Sequence, residues 1–222
     1  MMQETEEQHY AHLLMIEKIR AMAEQVGNYP ISEEVLEVMA KVPRHRFVPS
    51  DEIKSAYVNH PLPVACGQTI SQPYIVALMT ELLRLDKRHK ILEIGTGTGY
   101  QSAILAELAG SVYSVEIIDT LARKAASKLE ELAYRNVHLK IGDGNAGWLA
   151  QAPFDGIIVT AAAHQVPQAL LDQLKAGGRM VIPVGYHSYS QELLLISKTP
   201  DGTTRQQAIL PVSFVPLSGG AR

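Results

Sequence analysis

The sequence predicts an α/β fold with a doubly wound, mostly parallel sheet, preceded by helices and followed by an antiparallel hairpin. Three observations lead to this prediction. From residue 90 to residue 184, short apolar runs alternate with segments of helical periodicity, which is typical of a parallel sheet covered by helices on both faces. Two amphipathic segments precede the alternation. Two strand-like runs on either side of a turn signal follow it.

The N-terminal segments show helical spacing and recognisable ends. Apolar side chains recur every three or four positions in residues 5–27, and Asn28-Tyr29-Pro30 ends the pattern. A second helix is predicted to begin at Ser32, which suits an N-cap, and to end at Pro43. Residues 44–70 are rich in proline and are predicted to be irregular. A long loop of this kind in a compact domain usually has a function.

The chain after residue 70 supplies the predicted sheet. Strands are predicted at residues 90–94, 112–116, 137–141, 154–160 and 179–184. Helices are predicted at residues 71–85, 100–108, 121–132 and 166–174. The strand at 154–160 is strongly apolar and is therefore expected near the centre of the sheet. Two further strands, 192–197 and 206–212, flank the turn signal Thr199-Pro200-Asp201-Gly202 and predict the hairpin.

Composition excludes several classes of protein. The chain has 222 residues, of which 46% are hydrophobic and 19% charged, so it is predicted to be globular. A formal net charge of −3 argues against binding nucleic acid by bulk electrostatics. The single cysteine, Cys66, excludes an intrachain disulfide and a thiolate cluster, and no metal site is expected. The polar, acidic first residues and the lack of a long apolar run predict a soluble, cytoplasmic protein without a membrane segment.

The glycine-rich turn after residue 94 indicates the kind of ligand. Gly95, Gly97 and Gly99 follow a strand and precede a helix, where the backbone of a doubly wound fold approaches its ligand. A dinucleotide-binding turn has the spacing G-x-G-x-x-G and faces a pyrophosphate. Here the spacing is G-x-G-x-G, and the carboxylate of Glu93 would repel a pyrophosphate. It suits a cationic amino group, such as that of the methionine part of S-adenosylmethionine. The alternative is a tight turn with an incidental glutamate.

Two further acids follow the next two strands. Glu116 lies about 20 positions after the turn, where an acid typically accepts hydrogen bonds from ribose hydroxyls. Asp143, between Gly142 and Gly144, suits a tight loop that offers a carboxylate to an adenine amino group. Each has an ordinary alternative, a solvated strand end for Glu116 and a simple turn for Asp143. Together they strengthen the prediction of S-adenosylmethionine.

Several motifs resemble the protein-L-isoaspartate O-methyltransferase family over residues 30–218. In chain order they are Gly67-Gln68-Thr69-Ile70-Ser71-Gln72-Pro73, Leu92-Glu93-Ile94-Gly95-Thr96-Gly97-Thr98-Gly99-Tyr100, Gly142-Asp143-Gly144, Gly177-Gly178-Arg179 and Phe214-Val215-Pro216-Leu217. The resemblance implies a Rossmann-like methyltransferase fold. It also implies methyl transfer from S-adenosyl-L-methionine to the free carboxylate of L-isoaspartyl residues in damaged proteins and peptides. The product S-adenosyl-L-homocysteine would be released, and repair would proceed through the methyl ester and a succinimide.

The resemblance also assigns residues. It makes Ser71 the catalytic hydroxyl. The implied cofactor contacts are Thr69, Ile70, Ser71, Glu93, Gly95, Gly97, Glu116, Asp143 and Gly144. The implied substrate contacts are Val58, Asn59, Ala65 and Ser218. The family often has an acid in the segment at Tyr57-Val58-Asn59, where this chain has none, and usually a glycine where Ala65 stands.

A single domain, residues 1–222, is expected. It divides into N-terminal helices with a substrate-side loop (1–70), a cofactor-binding core (71–185) and a C-terminal hairpin with a closing segment (186–222). Three alternatives remain open. Ser71 could be a helix N-cap. The chain could methylate a small molecule or a peptide natural product. It could also retain the cofactor without catalysis, as a binding module.

Overall fold

The computed structural model describes residues 5–186 and 190–219. Of the predicted N-terminal segment (1–70), residues 1–4 lie outside the described residues. Of the predicted C-terminal segment (186–222), residues 187–189 and 220–222 lie outside them. Its main sheet has seven strands: β3 (Lys90–Ile94), β4 (Ser111–Glu116), β5 (Val137–Ile141), β6 (Phe154–Val159), β7 (Leu174–Val184), β8 (Gln191–Lys198) and β9 (Thr204–Val212). Two short strands, β1 (Leu62–Pro63) and β2 (Thr69–Ile70), precede them and form a separate antiparallel pair. The helices are α1 (Glu6–Val26), α2 (Glu33–Lys41), α3 (Pro73–Leu83), α4 (Tyr100–Leu108), α5 (Asp119–Glu131) and α6 (Gln168–Gln173).

The main sheet has the order β5-β4-β3-β6-β7-β8-β9. The first five strands in this order, from β5 through β4, β3 and β6 to β7, run parallel. Strands β8 and β9 are antiparallel to their neighbours. This arrangement confirms the predicted fold class, the central position of β6 and the hairpin. The chain leaves β3 in one direction for β4 and β5, and later returns on its other side with β6. A doubly wound sheet binds its ligand at this switch point, beyond the carboxyl ends of the strands.

The N-terminal helices differ from prediction in how they are capped. Helix α1 begins with a capping box between Thr5 and Gln8 and ends at Gly27, whose φ of 76° is left-handed. Ser32 stands at the N-cap position of α2, but its side chain makes no cap bond. The Ser32 hydroxyl instead donates to Oε2 of Glu81 at 2.6 Å, which ties α2 to α3.

Helix α3 starts two residues later than predicted. Pro73 is its first residue and Gln72 its N-cap, because proline fixes a helical φ at the first position but disfavours helical backbone in the residue before it. Ser71 therefore lies outside the helix, and the alternative that Ser71 is its N-cap does not hold, since Gln72 takes that position. The residue stays in the loop, next to β2.

Strand β7 begins at Leu174, five residues before the predicted start, and α6 begins two residues later and ends one residue earlier than predicted. The Gly177-Gly178 pair looks like a loop in the sequence, yet it lies within the strand opposite an irregularity in β6. A Cβ on Gly178 would stand 2.8 Å from the carbonyl oxygen of Asp155, so the strands can approach only because the residue is glycine.

The region 44–70, predicted to be irregular, consists of short 3-10 turns and the β1–β2 pair. The pairing of Leu62 with Ile70 folds this loop back and brings Thr69 to Ser71 beside the switch point. Within residues 5–186 and 190–219, no helix is long and apolar enough to span a membrane.

Candidate active site

A cavity opens at the carboxyl ends of β3, β4 and β6, at the switch point of the sheet. Most of its lining comes from four segments of the chain: residues 68–71, the glycine turn 94–98, the end of β4, and residues 215–218 near the C-terminus. Seven of the nine predicted cofactor contacts line it. These seven are Thr69, Ile70, Ser71, Gly95, Gly97, Glu116 and Gly144.

The glycine turn brings bare backbone to the cavity wall. Gly95, Gly97 and Gly99 all have positive φ, at 94°, 55° and 88°. A Cβ on Gly95 would lie 2.5 Å from Oγ1 of Thr160, so the turn and the end of β6 touch only because position 95 has no side chain. A Cβ on Gly97 would meet no atom within 4 Å. The Gly97 backbone therefore leaves open space beside it for a ligand.

Thr160 holds the turn in place. Its Oγ1 donates to the carbonyl oxygens of Gly95, at 2.6 Å, and Ile94, at 3.1 Å. This role of Thr160 was not predicted from the sequence. The only available signal was a polar residue directly after the most apolar strand.

Glu116 lies where the sequence placed it, at the end of β4 and on the cavity wall. Only 5% of the residue is exposed. Its two carboxylate oxygens accept hydrogen bonds from the backbone N–H groups of Gly97 and Ile118, each at 2.9 Å. The acid is therefore fixed next to the glycine turn.

Asp143 lies behind the cavity lining. Its Oδ1 accepts hydrogen bonds from both the backbone and the side-chain nitrogen of Asn145 at 2.9 Å. Gly219 passes so close that a Cβ on it would stand 2.4 Å from the same oxygen. Gly144 does line the cavity, and Leu217 packs 3.4 Å from where its Cβ would be. The C-terminal segment therefore covers this loop.

Glu93 is placed differently from expectation. It is fully buried and does not line the cavity, because its side chain is turned toward Ser102 of α4 and Ser114 of β4. Its Oε2 accepts hydrogen bonds from the hydroxyls of Ser102 and of Ser114, the latter at 2.6 Å, and Ser114 in turn contacts Thr96 at 2.6 Å. A direct contact between Glu93 and a ligand amino group finds no support in this position. The carboxyl group instead anchors the turn from below.

Burial raises the pKa of Glu93 to about 7, although the two serine hydroxyls favour its ionised form. Nearby Glu116 adds to the rise.

Ser71 stands at the junction of two spaces. It lines the cavity and also a neighbouring groove, as do Thr69, Thr160 and Val215. No side chain or backbone group in residues 5–186 and 190–219 hydrogen-bonds to the Ser71 hydroxyl. The hydroxyl is thus available to a ligand.

Three of the four predicted substrate contacts lie away from both spaces. Val58 packs against the core and Ala65 is exposed in a 3-10 turn. Asn59 supports the groove from behind, since its Oδ1 accepts from the backbone N–H of Tyr74 at 3.0 Å and so caps α3. A direct substrate contact by these three residues finds no support in their positions. Ser218 does line the cavity.

The C-terminal segment is bound by main-chain hydrogen bonds to the end of β6. Ala162 donates to the carbonyl of Val215 and accepts from the N–H of Leu217, both at 2.8 Å. The buried Gln191 side chain fixes the start of the segment. Its amide accepts from Phe214 N–H at 2.6 Å and donates to Phe214 O at 3.1 Å. Gln191 was not predicted from the sequence to have a role near the site.

Charged groups around the site do not form a metal centre. Within the described residues, no three His, Cys, Asp or Glu side chains come together in a way that could hold a metal ion.

Comparison with known proteins decides which family has this site. The family model for protein-L-isoaspartate(D-aspartate) O-methyltransferase matches residues 17–222. The chain belongs to this family. It is 56% identical to protein-L-isoaspartate O-methyltransferase 2 of Syntrophobacter fumaroxidans over 92% of this chain and 83% of that protein. It is 53% identical to protein-L-isoaspartate O-methyltransferase 2 of a Polaromonas species, over 92% of this chain and 99% of that one.

Solved structures share the fold. The structure of one protein-L-isoaspartate O-methyltransferase superposes on this chain with a TM-score of 0.81 at 30% identity. The match covers 92% of this chain and 66% of the other protein's chain. A Plasmodium falciparum protein, solved in complex with S-adenosyl-L-homocysteine, has the same fold, with a TM-score of 0.78 at 21% identity. The match covers 93% of this chain and 98% of the Plasmodium chain.

The buried Glu93 predicts a pH dependence of stability. The ordinary pKa of the carboxyl group is 4.5, and in the folded protein it is about 7. Between these values the folded protein keeps a proton that the unfolded chain releases, so the free energy of unfolding falls as pH rises. Glu93→Gln, which has no proton to lose, should gain stability relative to the native chain between about pH 5 and about pH 8. The gain is on the order of 3 kcal/mol, since each tenfold change in proton binding corresponds to about 1.4 kcal/mol.

Urea unfolding of both proteins at the two pH values measures this difference. Glu130→Gln is the matched control, because the side chain of Glu130 is 76% exposed. The prediction would be contradicted if the free energy of unfolding of Glu93→Gln differed from that of the native chain by the same amount at both pH values.

Proposed function

We propose that this chain transfers a methyl group from S-adenosylmethionine to the free carboxylate of L-isoaspartyl residues in damaged cytoplasmic proteins and peptides. The observation that carries the proposal is Ser71, which lines both the cavity at the glycine turn and the adjoining groove and whose hydroxyl has no hydrogen-bond partner among the described residues. Membership of the protein-L-isoaspartate O-methyltransferase family supports it.

The cavity suits S-adenosylmethionine. The open backbone at Gly97 gives room for the methionine part, and Glu116 beside it offers carboxylate oxygens to ribose hydroxyls. Gly144, covered by Leu217, would flank the adenine, with Asp143 behind it. When bound, S-adenosylmethionine supplies a methyl group on a positively charged sulfur that is open to nucleophilic attack.

The nucleophile needs no general base. A carboxylate with an ordinary pKa of about 4 is already ionised near neutral pH. Ser71 would donate a hydrogen bond to one carboxylate oxygen and leave the other free to attack. The protein therefore acts by positioning the reactants and excluding water. In favourable cases these effects lower the activation free energy by up to roughly 7–11 kcal/mol.

The methyl ester would then react without help from the protein. The backbone nitrogen that follows the isoaspartyl residue attacks the ester carbonyl and expels methanol, which leaves a succinimide. Water opens the succinimide, partly to normal aspartate. Repeated cycles of methylation would complete the repair.

Methyl incorporation tests the proposal directly. Labelled S-adenosylmethionine is offered with an isoaspartyl peptide, with the same peptide containing normal aspartate, and with no peptide. We expect label only in the isoaspartyl peptide, as a base-labile ester that releases methanol. Equal labelling of both peptides would contradict the proposal. Binding of S-adenosylmethionine without any transfer would favour a binding module.

Glu116 should contribute to cofactor affinity. Glu116→Ala removes a charged hydrogen-bond acceptor beside the glycine turn and should weaken S-adenosylmethionine binding by about 1.5–3 kcal/mol. Isothermal titration calorimetry measures the affinity, with Glu130→Ala as the exposed control. NAD should not bind to either protein. An unchanged affinity in Glu116→Ala would remove Glu116 from the site.

Ser71→Ala separates catalysis from stability. Loss of the hydroxyl should lower turnover tenfold to several hundredfold, which corresponds to about 1.4–3.5 kcal/mol in the transition state. Because Ser71 caps no helix, the free energy of unfolding should change by less than about 0.5 kcal/mol. Affinity for S-adenosylmethionine should change little. Steady-state kinetics on the isoaspartyl peptide, paired with urea unfolding, measures both quantities. Full turnover in this variant would exclude Ser71 from catalysis.

A further inference from the structure

The groove that adjoins the cavity at Ser71 lies between the N-terminal helix and the C-terminal hairpin. We call it the acceptor groove. Its apolar walls come from the last turns of α1, the first turn of α3, and the end of β9 with the residues after it. The main apolar lining residues are Met22, Val26, Tyr74, Ile75, Leu210 and Phe214. The groove continues directly from the site of methyl transfer.

No charged side chain lines the acceptor groove among the residues that the structure describes. Its polar lining consists of hydroxyls and the Gln72 amide. A charged group that enters an apolar groove loses water and finds no partner of opposite charge, which is strongly unfavourable. An apolar side chain gains from the same burial.

Met22 fixes the position of the α1 wall beside the reaction site. Its sulfur lies 3.5 Å from the side-chain nitrogens of both Asn59 and Gln72. Gln72 is the neighbour of Ser71 and also donates to the backbone carbonyl of Asn59 at 2.8 Å. A substrate side chain that packs on Met22 is therefore adjacent to the group held by Ser71.

We propose that the acceptor groove selects isoaspartyl substrates by the residue next to the isoaspartyl residue, with Met22 and Val26 as specificity-determining residues. The preferred neighbour is uncharged and apolar. Lysine and glutamate are disfavoured to a similar degree, because the groove has no partner for either charge. This selectivity rests on the proposed methylation of isoaspartyl peptides.

A peptide series tests the selectivity. Isoaspartyl peptides that differ only in one flanking residue, with leucine, lysine or glutamate placed before or after the isoaspartyl residue, are compared by kcat/KM. For at least one of the two positions, we expect the leucine peptide to exceed both charged peptides by about tenfold or more. Equal values for all peptides at both positions would overturn the proposal. If no isoaspartyl peptide accepts a methyl group, the proposed function itself fails.

Charge substitution in the groove tests the role of the α1 wall. Val26 is 36% exposed, so the substitutions Val26→Lys and Val26→Glu should be compatible with folding. Val26→Lys should raise kcat/KM for the glutamate peptide relative to the lysine peptide several-fold, and Val26→Glu should shift the ratio the opposite way. Leu13→Lys and Leu13→Glu are matched controls, because Leu13 is an exposed apolar residue of the same helix outside the groove.

The ratio between peptides is an internal measure that a general loss of activity does not change. Opposite shifts for the two Val26 variants, with no shift for the Leu13 variants, support the proposal. The same ratio in all four variants, or equal shifts at Leu13, would show that α1 does not contact the substrate and would overturn it. Met22→Leu, which keeps an apolar side chain of similar volume, should preserve the preference for the leucine peptide.

Discussion

The contact between Thr160 and the glycine turn is the constraint on which the site depends. It joins the ends of β3 and β6, the neighbouring parallel strands at which the order of strands along the chain reverses, through hydrogen bonds from Thr160 Oγ1 to the carbonyls of Ile94 and Gly95. The next residues after Thr160 bind the C-terminal segment through Ala162. The cavity floor and its cover are therefore both positioned by the end of one buried strand, although they are far apart in the sequence.

A buried polar network supports the same turn from the opposite side. Glu93, Ser102 and Ser114 lie in a region that is otherwise apolar, and Thr96 extends their hydrogen bonds to the turn itself. One oxygen of Glu93 has no hydrogen-bond partner among the described residues. Burying such a group reduces stability. In return, the hydrogen-bonded network holds the backbone of the glycine turn in one position. Rigid backbone is what a site built from main-chain atoms requires.

Most elements of the parallel sheet were predictable because their strands are short runs rich in apolar residues, and β3, β4 and β5 end in or just before glycine or an acid. For the same reason Gly95, Gly97, Glu116 and Gly144 could be expected to meet, since the carboxyl ends of parallel strands share one edge. Thr160 and Gln191 were not predictable, because their partners lie 65 and 23 residues away and depend on strand register. The position of Glu93 could not be predicted either. Only the orientation of its side chain in the pleat decides whether it faces the cavity or the core.

The uncharged lining of the acceptor groove affects the transition state of methyl transfer differently from the bound substrate. A substrate carboxylate in this groove would carry a full negative charge and meet hydroxyls but no cationic side chain among the described lining residues. As its oxygen forms the ester bond, that charge disappears. An environment of low polarity stabilises the less charged transition state better than the ionised ground state, so the groove can accelerate the step without holding its substrate tightly. Weak ground-state binding suits a protein that must sample many different damaged chains and release each one.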